Sequence, residues 1–249
     1  MDAKRNLMQT YQAGIGLGNR DYYFESEDKM IEIQSEYLNH IQKMFKLAGF
    51  STLEASEASQ AVMMIERQLA LAHFSQVKLR DSQANYHLYT VDSLKASFPG
   101  FCWDTYFATL GCPELKEISV SQEEPIRKSI EIMNTAQIKD LRYYMQWQVL
   151  SAAASYMSDE FAEEKFNFHG KVISGRQEQS PRWKRAVSVV DGSLGMAVDK
   201  LYCEKYFNAD AKARMETLCA NLLKAYGERI DNLEWMSDET KAKALTKLA

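Results

Sequence analysis

A chain of 249 residues that is 46% hydrophobic is long enough to bury one large core or two small ones, and that content excludes a disordered polypeptide. A formal net charge of −4 with no dense basic block gives nucleic acid no electrostatic footprint, and the group Arg182, Lys184 and Arg185 is too small to change that. Only 11 glycines and 4 prolines punctuate a vocabulary of Ala, Leu, Glu, Lys, Gln and Met, which predicts an all-α fold: an irregular multi-helix lobe with at most one short strand or hairpin.

Residues 1–25 end in GIGLGNRDYYF and one glutamate, where Gly14, Gly16 and Gly18 disfavour a helix and predict a loop laid against another surface and anchored by its tyrosines. From Asp28, Met30, Ile33, Tyr37, Ile41, Met44, Phe45 and Ala48 recur at spacings of three and four, an amphipathic helix stopped by Gly49. Ser51 and Glu54 form a capping box for the next, whose stripe is Ala58, Val62, Ile65, Leu69 and Ala72. The two read as a helical hairpin. Thr90 caps a short helix that ends at Phe98-Pro-Gly, and a second short turn runs from Trp103 to Leu110.

Between Pro113 and Pro125 an extended stretch with Ile118 and Val120 holds the one expected strand. Asn134 and Gln137 mark the start of an aromatic-rich helix from Ile138 to Met157, and Ser158-Asp-Glu opens another toward Phe168. Residues 170–180 read as a polar loop. Pro181 then sits at the first turn of a long helix to Phe207, Asn208 caps the next to about Ile230, and Ser237 caps a last helix carrying Met236, Ala244 and Leu248 on one side. That helix shows no glycine stop before Ala249, so the sequence is expected to be cut from a longer one.

No apolar run approaches the roughly 20 residues that span a bilayer, the opening MDAKRNLMQT is not a signal peptide, and no repeat of fixed period appears. Cys203 and Cys219, on antiparallel helices turning at Asn208, would stand about 9 Å out of level at 1.5 Å per residue, so free thiols are expected there. Cys102 and Cys112 are read as small buried apolar groups.

Candidate chemistry is sparse. Two imidazoles four apart, as in H-E-x-x-H, would share one helix face and hold zinc, but His40, His73, His87 and His169 include no such pair. Glu36 and His40 lie four apart and Glu66 and His73 seven apart, but no Glu-x-x-His exists, so they are expected to be solvated or hydrogen-bonded. His169 reads as a loop or helix-end residue. Asp21, Asp191 and Asp199 show no acid–base partner, and GIGLGN does not complete a phosphate-binding fingerprint. Trp183 is expected to be stapled into the core beside a solvated basic helix end, and Trp147 and Trp235 to anchor core or interface.

Three stretches carry a resemblance: PRWKR from Pro181; VDGSLGMAVDKLYCEKYF from Val190 to Phe207; and LEWMSDETKAKA from Leu233 to Ala244. With GLGNRDYY from Gly16, Asp159-Glu-Phe and Phe168, they resemble the neprilysin family of zinc metallopeptidases in order through nearly the whole chain, in wording most like its bacterial PepO-like branch. Asp199 stands where that family usually has glycine, and Cys203 where it has a small aliphatic residue.

The resemblance implies that residues 1–249 form the helical lobe that faces a thermolysin-like catalytic lobe across a closed cavity, limiting substrates to peptides. The family's Asn-Ala-x-Tyr stretch, its H-E-x-x-H with a later zinc-binding glutamate, and its substrate-binding arginine and histidine have no counterpart here. No residue of this chain is therefore assigned a catalytic, cofactor-binding or metal-binding role. Zinc is expected in the full-length parent and none in this chain. The expected partners are peptide substrates and the parent's own catalytic lobe, without nucleic acid and with weak self-association. Localisation is expected to be periplasmic, secreted or at the cell surface. The alternative is a stand-alone helical interaction module without catalysis.

Overall fold

The computed structural model describes residues 6–248; the first five residues of the polar opening and the terminal Ala249 lie outside it. The chain divides into two compact units, Met1–Gln179 and Ser180–Ala249.

The first unit is built on a helical hairpin, α1 (Asp28–Leu47) and α2 (Thr52–Ala72). The turn between them needs Gly49 at φ +92°, a left-handed conformation that side chains other than glycine resist. Ser51 accepts from the Glu54 amide and Glu54 accepts from the Ser51 amide at 3.0 Å, so the capping box closes as expected. The α1 stripe Ile33, Tyr37, Ile41, Met44 and Phe45 packs with Ala55, Ala58 and Val62 of α2. Helix α6 (Ile138–Ala153) closes this core with Tyr143 and Trp147.

A smaller core surrounds a three-stranded sheet, where the sequence suggested only one brief strand. Strands β1 (Met8–Thr10), β2 (His87–Thr90) and β3 (Glu117–Val120) stand in the order β1-β3-β2, with β1 parallel and β2 antiparallel to β3. Met8 pairs with Ile118, and His87 with Val120. Buried Ile118 and Val120 pack with Leu94 of α3 (Val91–Ser97), capped by Thr90, and with Trp103 and Phe107 of α4 (Trp103–Thr109). The sheet stays minor, and the fold is mostly helical.

Helix α5 (Glu123–Thr135) was not foreseen. Pro125 reads as a break, but it lies in the first helical turn, where its missing N–H leaves no intrahelical bond unmade. After α7 (Asp159–Lys165) the chain continues as a π-helix, Phe166–Ile173, so His169 and Gly170 lie within a helix rather than at a loop. At Gly170 a Cβ would stand 2.3 Å from the Phe166 ring, which explains why only glycine fits there.

The second unit consists of α8 (Arg182–Tyr206), α9 (Ala209–Asp231) and α10 (Asp238–Leu248). Pro181 is the residue before α8, and Asn208 caps α9 by accepting from the Ala211 amide at 2.9 Å. Helix α8 bends at Leu194, whose φ −126° and ψ 17° leave the helical region between Gly192 and Gly195. Lys241 of α10 donates to the Asp231 carbonyl at 2.8 Å.

Two packing expectations are corrected. Trp183 is 65% exposed rather than stapled into a core, because no side chain of α8 is buried within the chain. Cys102 is exposed and Cys112 half-buried, not core groups; all four cysteines are free.

Candidate functional site

Buried polar groups of the first unit gather around α1. Glu66, fully buried on α2, accepts from the Tyr23 hydroxyl at 2.7 Å and from the Tyr37 hydroxyl at 2.9 and 3.0 Å. Each hydroxyl oxygen is itself an acceptor: Tyr23 takes the Leu17 amide at 3.0 Å and Tyr37 takes the Trp147 indole N–H at 3.1 Å. The single proton of each tyrosine is thereby directed at the carboxyl.

Burial pushes the Glu66 carboxyl up to about 7, against the hydrogen bonds from Tyr23 and Tyr37 that favour its ionised form. Burial and the neighbouring carboxylate push both tyrosines well above the ordinary phenol range. Close packing fixes the arrangement. A Cβ at Gly16 would fall 1.8 Å from the Tyr37 hydroxyl, so only glycine lets the segment lie this close.

One turn further along α1, His40 meets Glu164 of α7 through Nδ1 at 3.0 Å, and Lys43 approaches the other Glu164 oxygen at 3.6 Å. The Phe168 ring stacks on His40 at 4.9 Å and tilts against Tyr37 at 5.3 Å, while Trp147 meets both rings edge-on. His169 abuts His40 at 5.6 Å, and burial, with His40 and Lys165 nearby, lowers its imidazole to about 4.

The residues singled out from sequence fall differently. Glu36 and His40 do not pair; His40 reaches instead to a residue 124 positions away. Glu66 and His73 do not pair either, and burial lowers His73 below the ordinary imidazole range. His87 in β2 bonds the Val120 carbonyl through Nδ1 at 2.9 Å. His40, Glu66 and His87 are thus hydrogen-bonded within the first unit, whereas the buried His73 Nε2 has no hydrogen-bond partner. Sequence reasoning missed Tyr23, Tyr37 and Glu164. The only local signal was that Tyr37 and His40 share the apolar face of α1.

Elsewhere a groove of about 540 Å³ runs between α2 and the start of α6, floored by Ala61, Met64 and Tyr143, with Lys139 bonded to Glu57 at 2.6 Å across its rim.

Residues 1–249 match the family model described as Peptidase family M13. The chain belongs to this peptidase family. It is 28% identical to human endothelin-converting enzyme 1 over 99% of its own length and 32% of that protein. It is 27% identical to the neutral endopeptidase of Lactobacillus helveticus over 82% of its length. The zinc metalloprotease Zmp1 of Mycobacterium tuberculosis, solved with an inhibitor, superimposes with a TM-score of 0.90 at 32% identity, over 98% of this chain and 37% of that one. The PepO structure from Lactobacillus rhamnosis shares the fold, with a TM-score of 0.79 at 18% identity. The chain thus spans about a third of the length of the relatives it matches.

Among the described residues no three His, Cys, Asp or Glu side chains converge as a zinc site requires. His40 is turned to Glu164 and Glu66 to two tyrosines, so these groups do not fit the ion. No helix among the described residues is long and apolar enough to cross a membrane.

Proposed function

We propose that residues 1–249 are the helical, non-catalytic lobe of a zinc-dependent metalloendopeptidase, which walls the substrate cavity and limits it to peptides. The observation that carries this is the match of the whole chain to the M13 family, together with a TM-score of 0.90 to a zinc metalloprotease held with an inhibitor. Zinc and the attacking water would belong to another part of the parent, and the metal would polarise the scissile carbonyl and lower the pKa of that water. This lobe would contribute by excluding bulk water and large substrates. By itself the chain would bind no zinc and cut no peptide. The parent would work in the periplasm, at the cell surface or outside the cell, as the family resemblance implies.

The surface of α8 to α10 supports a role within a larger assembly. Trp183, Leu194, Met196, Leu201, Tyr202 and Trp235 are each at least 60% exposed, a density of apolar side chains that marks an interaction surface.

The test is to read the gene beyond Ala249 and to express the continuous product. Asn-Ala-x-Tyr, then H-E-x-x-H and a further glutamate are expected. The product should be a chelator-sensitive endopeptidase that cuts short peptides, prefers hydrophobic residues after the scissile bond, and spares folded proteins. A natural stop codon directly after Ala249, or a full-length product that binds no zinc, would overturn the reading in favour of a stand-alone interaction module.

A further inference from the structure

Helix α8 carries more apolar surface than one neighbour can cover. Trp183, Val187, Val190, Leu194 and Leu201 recur at helical spacing, and every one of them is exposed. Val189, Met196, Cys203 and Tyr206 form a second exposed row. Val189 follows Val187, and Cys203 follows Leu201, by two positions, which is about 200° of turn, so the second row lies opposite the first. Helix α9 differs, since its exposed Met215, Leu218, Leu222 and Tyr226 share one face. One apolar stripe suits a surface helix, whereas a helix that is apolar on opposite faces belongs in an interior.

Two glycines mark where a neighbour of α8 comes closest. In the first unit, Gly16 and Gly170 are explained within the chain, because an added Cβ would strike Tyr37 or Phe166. At Gly227 of α9 a Cβ would touch Leu248 of α10 at 3.6 Å. At Gly192 and Gly195 of α8 it would meet nothing within 4 Å, and neither residue has the positive φ that calls for glycine. The bend between them does not account for them either, since its non-helical angles fall on Leu194. Glycine is the poorest helix former after proline, so both destabilise α8 for no reason that the described residues supply. Gly192 continues the row of Val189 and Met196 at spacings of three and four, so the second face is the one approached closely.

We propose that α8 is an interior helix of the complete parent, clasped on both faces by the rest of the parent chain, part of which seats directly on Gly192. This rests on the reading of residues 1–249 as one lobe of a longer enzyme. The relatives supply the material for such a clasp: this chain spans 32% of human endothelin-converting enzyme 1 and 37% of Zmp1. A segment joined covalently to the lobe meets α8 at an effective concentration on the order of mM. A second copy fits less well, because a two-fold dimer covers one patch on each subunit and leaves the opposite row bare.

The free, exposed thiol of Cys203 reports on the second face. Its alkylation by iodoacetamide, read by peptide mass mapping, is compared between the 249-residue chain and the continuous product that extends beyond Ala249. Alkylation should be fast in the first and on the order of 100-fold slower in the second, where the thiol must wait for a local opening. Gly192→Leu in the continuous product should restore most of the lost reactivity, and in the 249-residue chain it should change nothing. The comparison of the unsubstituted proteins stands whether or not that variant folds. Equal rates in those two proteins, protection already present in the dilute 249-residue chain, or protection of that chain that grows with its concentration would each overturn the clasp, the last in favour of a second copy. A Gly192→Leu product as protected as the unsubstituted one would overturn the seat at Gly192. A continuous product that binds no zinc yet protects Cys203 keeps the clasp and removes the peptidase reading, whereas an active peptidase with Cys203 fully reactive does the reverse.

Discussion

The two units put the same helical grammar to different use. Up to Gln179, the stripes of α1, α2 and α6 close on one another, and Tyr37, Ile41, Phe45, Val62 and Trp147 lose nearly all contact with water. From Ser180 onward, α8, α9 and α10 carry comparable stripes, yet none of their described side chains is buried. A periodic apolar stripe thus records a need for cover, not its presence. Substitutions in the first unit should register as stability, and those in the second as association with whatever covers it.

The largest effect is expected from Trp147→Ala, which empties the middle of the first core and removes the N–H that fixes Tyr37; about 3–5 kcal/mol should be lost in denaturant unfolding. A loss under about 1 kcal/mol would break the claim that this core carries the fold. Next comes Tyr37→Phe, which keeps the ring but strands the Trp147 N–H and one side of Glu66. A loss of about 1–3 kcal/mol is expected by the same measurement.

A smaller effect should follow pH at the π-helix. His169 is lowered from 6.5 to about 4 when folded, so the folded state binds fewer protons in that window, and stability is lost as pH falls from 6.5 through about 4. His169→Phe removes that loss. The midpoint difference between variant and parent chain should therefore be more favourable to the variant near pH 5 than near pH 7.5. An identical difference at both values would show that His169 remains as hydrated as in the unfolded chain.

The smallest effect is expected from Trp183→Ala, within about 1 kcal/mol, because the ring is 65% exposed in the second unit. A loss of several kcal/mol would erase the contrast between the units and restore the core staple that the sequence suggested.

Local chemistry was legible at several helix starts but not at all of them, since Gln137 and Ser158 stand before α6 and α7 without a side-chain cap bond. Ser51 with Glu54, Thr90, and Asn208 all cap the helices assigned to them, because a cap is settled by neighbours three residues away. The stripes of α1 and α2 were legible for the same reason. Strands β1 and β2 were not: three or four residues show no usable period, and β1 exists through pairing with a strand some 110 positions later. Helix α5 was hidden by Pro125, a breaker in mid-helix but harmless in a first turn. The polar cluster was the least legible part. Tyr23, Tyr37, Glu66 and Trp147 come from four elements, and spacing along one helix suggested Glu36 as the neighbour of His40 when Glu164 takes that place. The family resemblance, in contrast, was readable directly, since it rests on ordered strings of residues rather than on contacts.

The enclosure of Glu66 also orders events in time. Its carboxyl can be covered only after the α1–α2 hairpin has brought Tyr37 beside it and α6 has delivered Trp147, because those contacts form the seat on which Tyr23 and Gly16 rest. The 14–23 segment is therefore expected to dock late in folding, with φ-values near zero at Tyr23 and Gly16. Changes at Tyr23 or Gly16 will shorten the lifetime of the native state by hastening unfolding, and leave the speed of its formation nearly untouched.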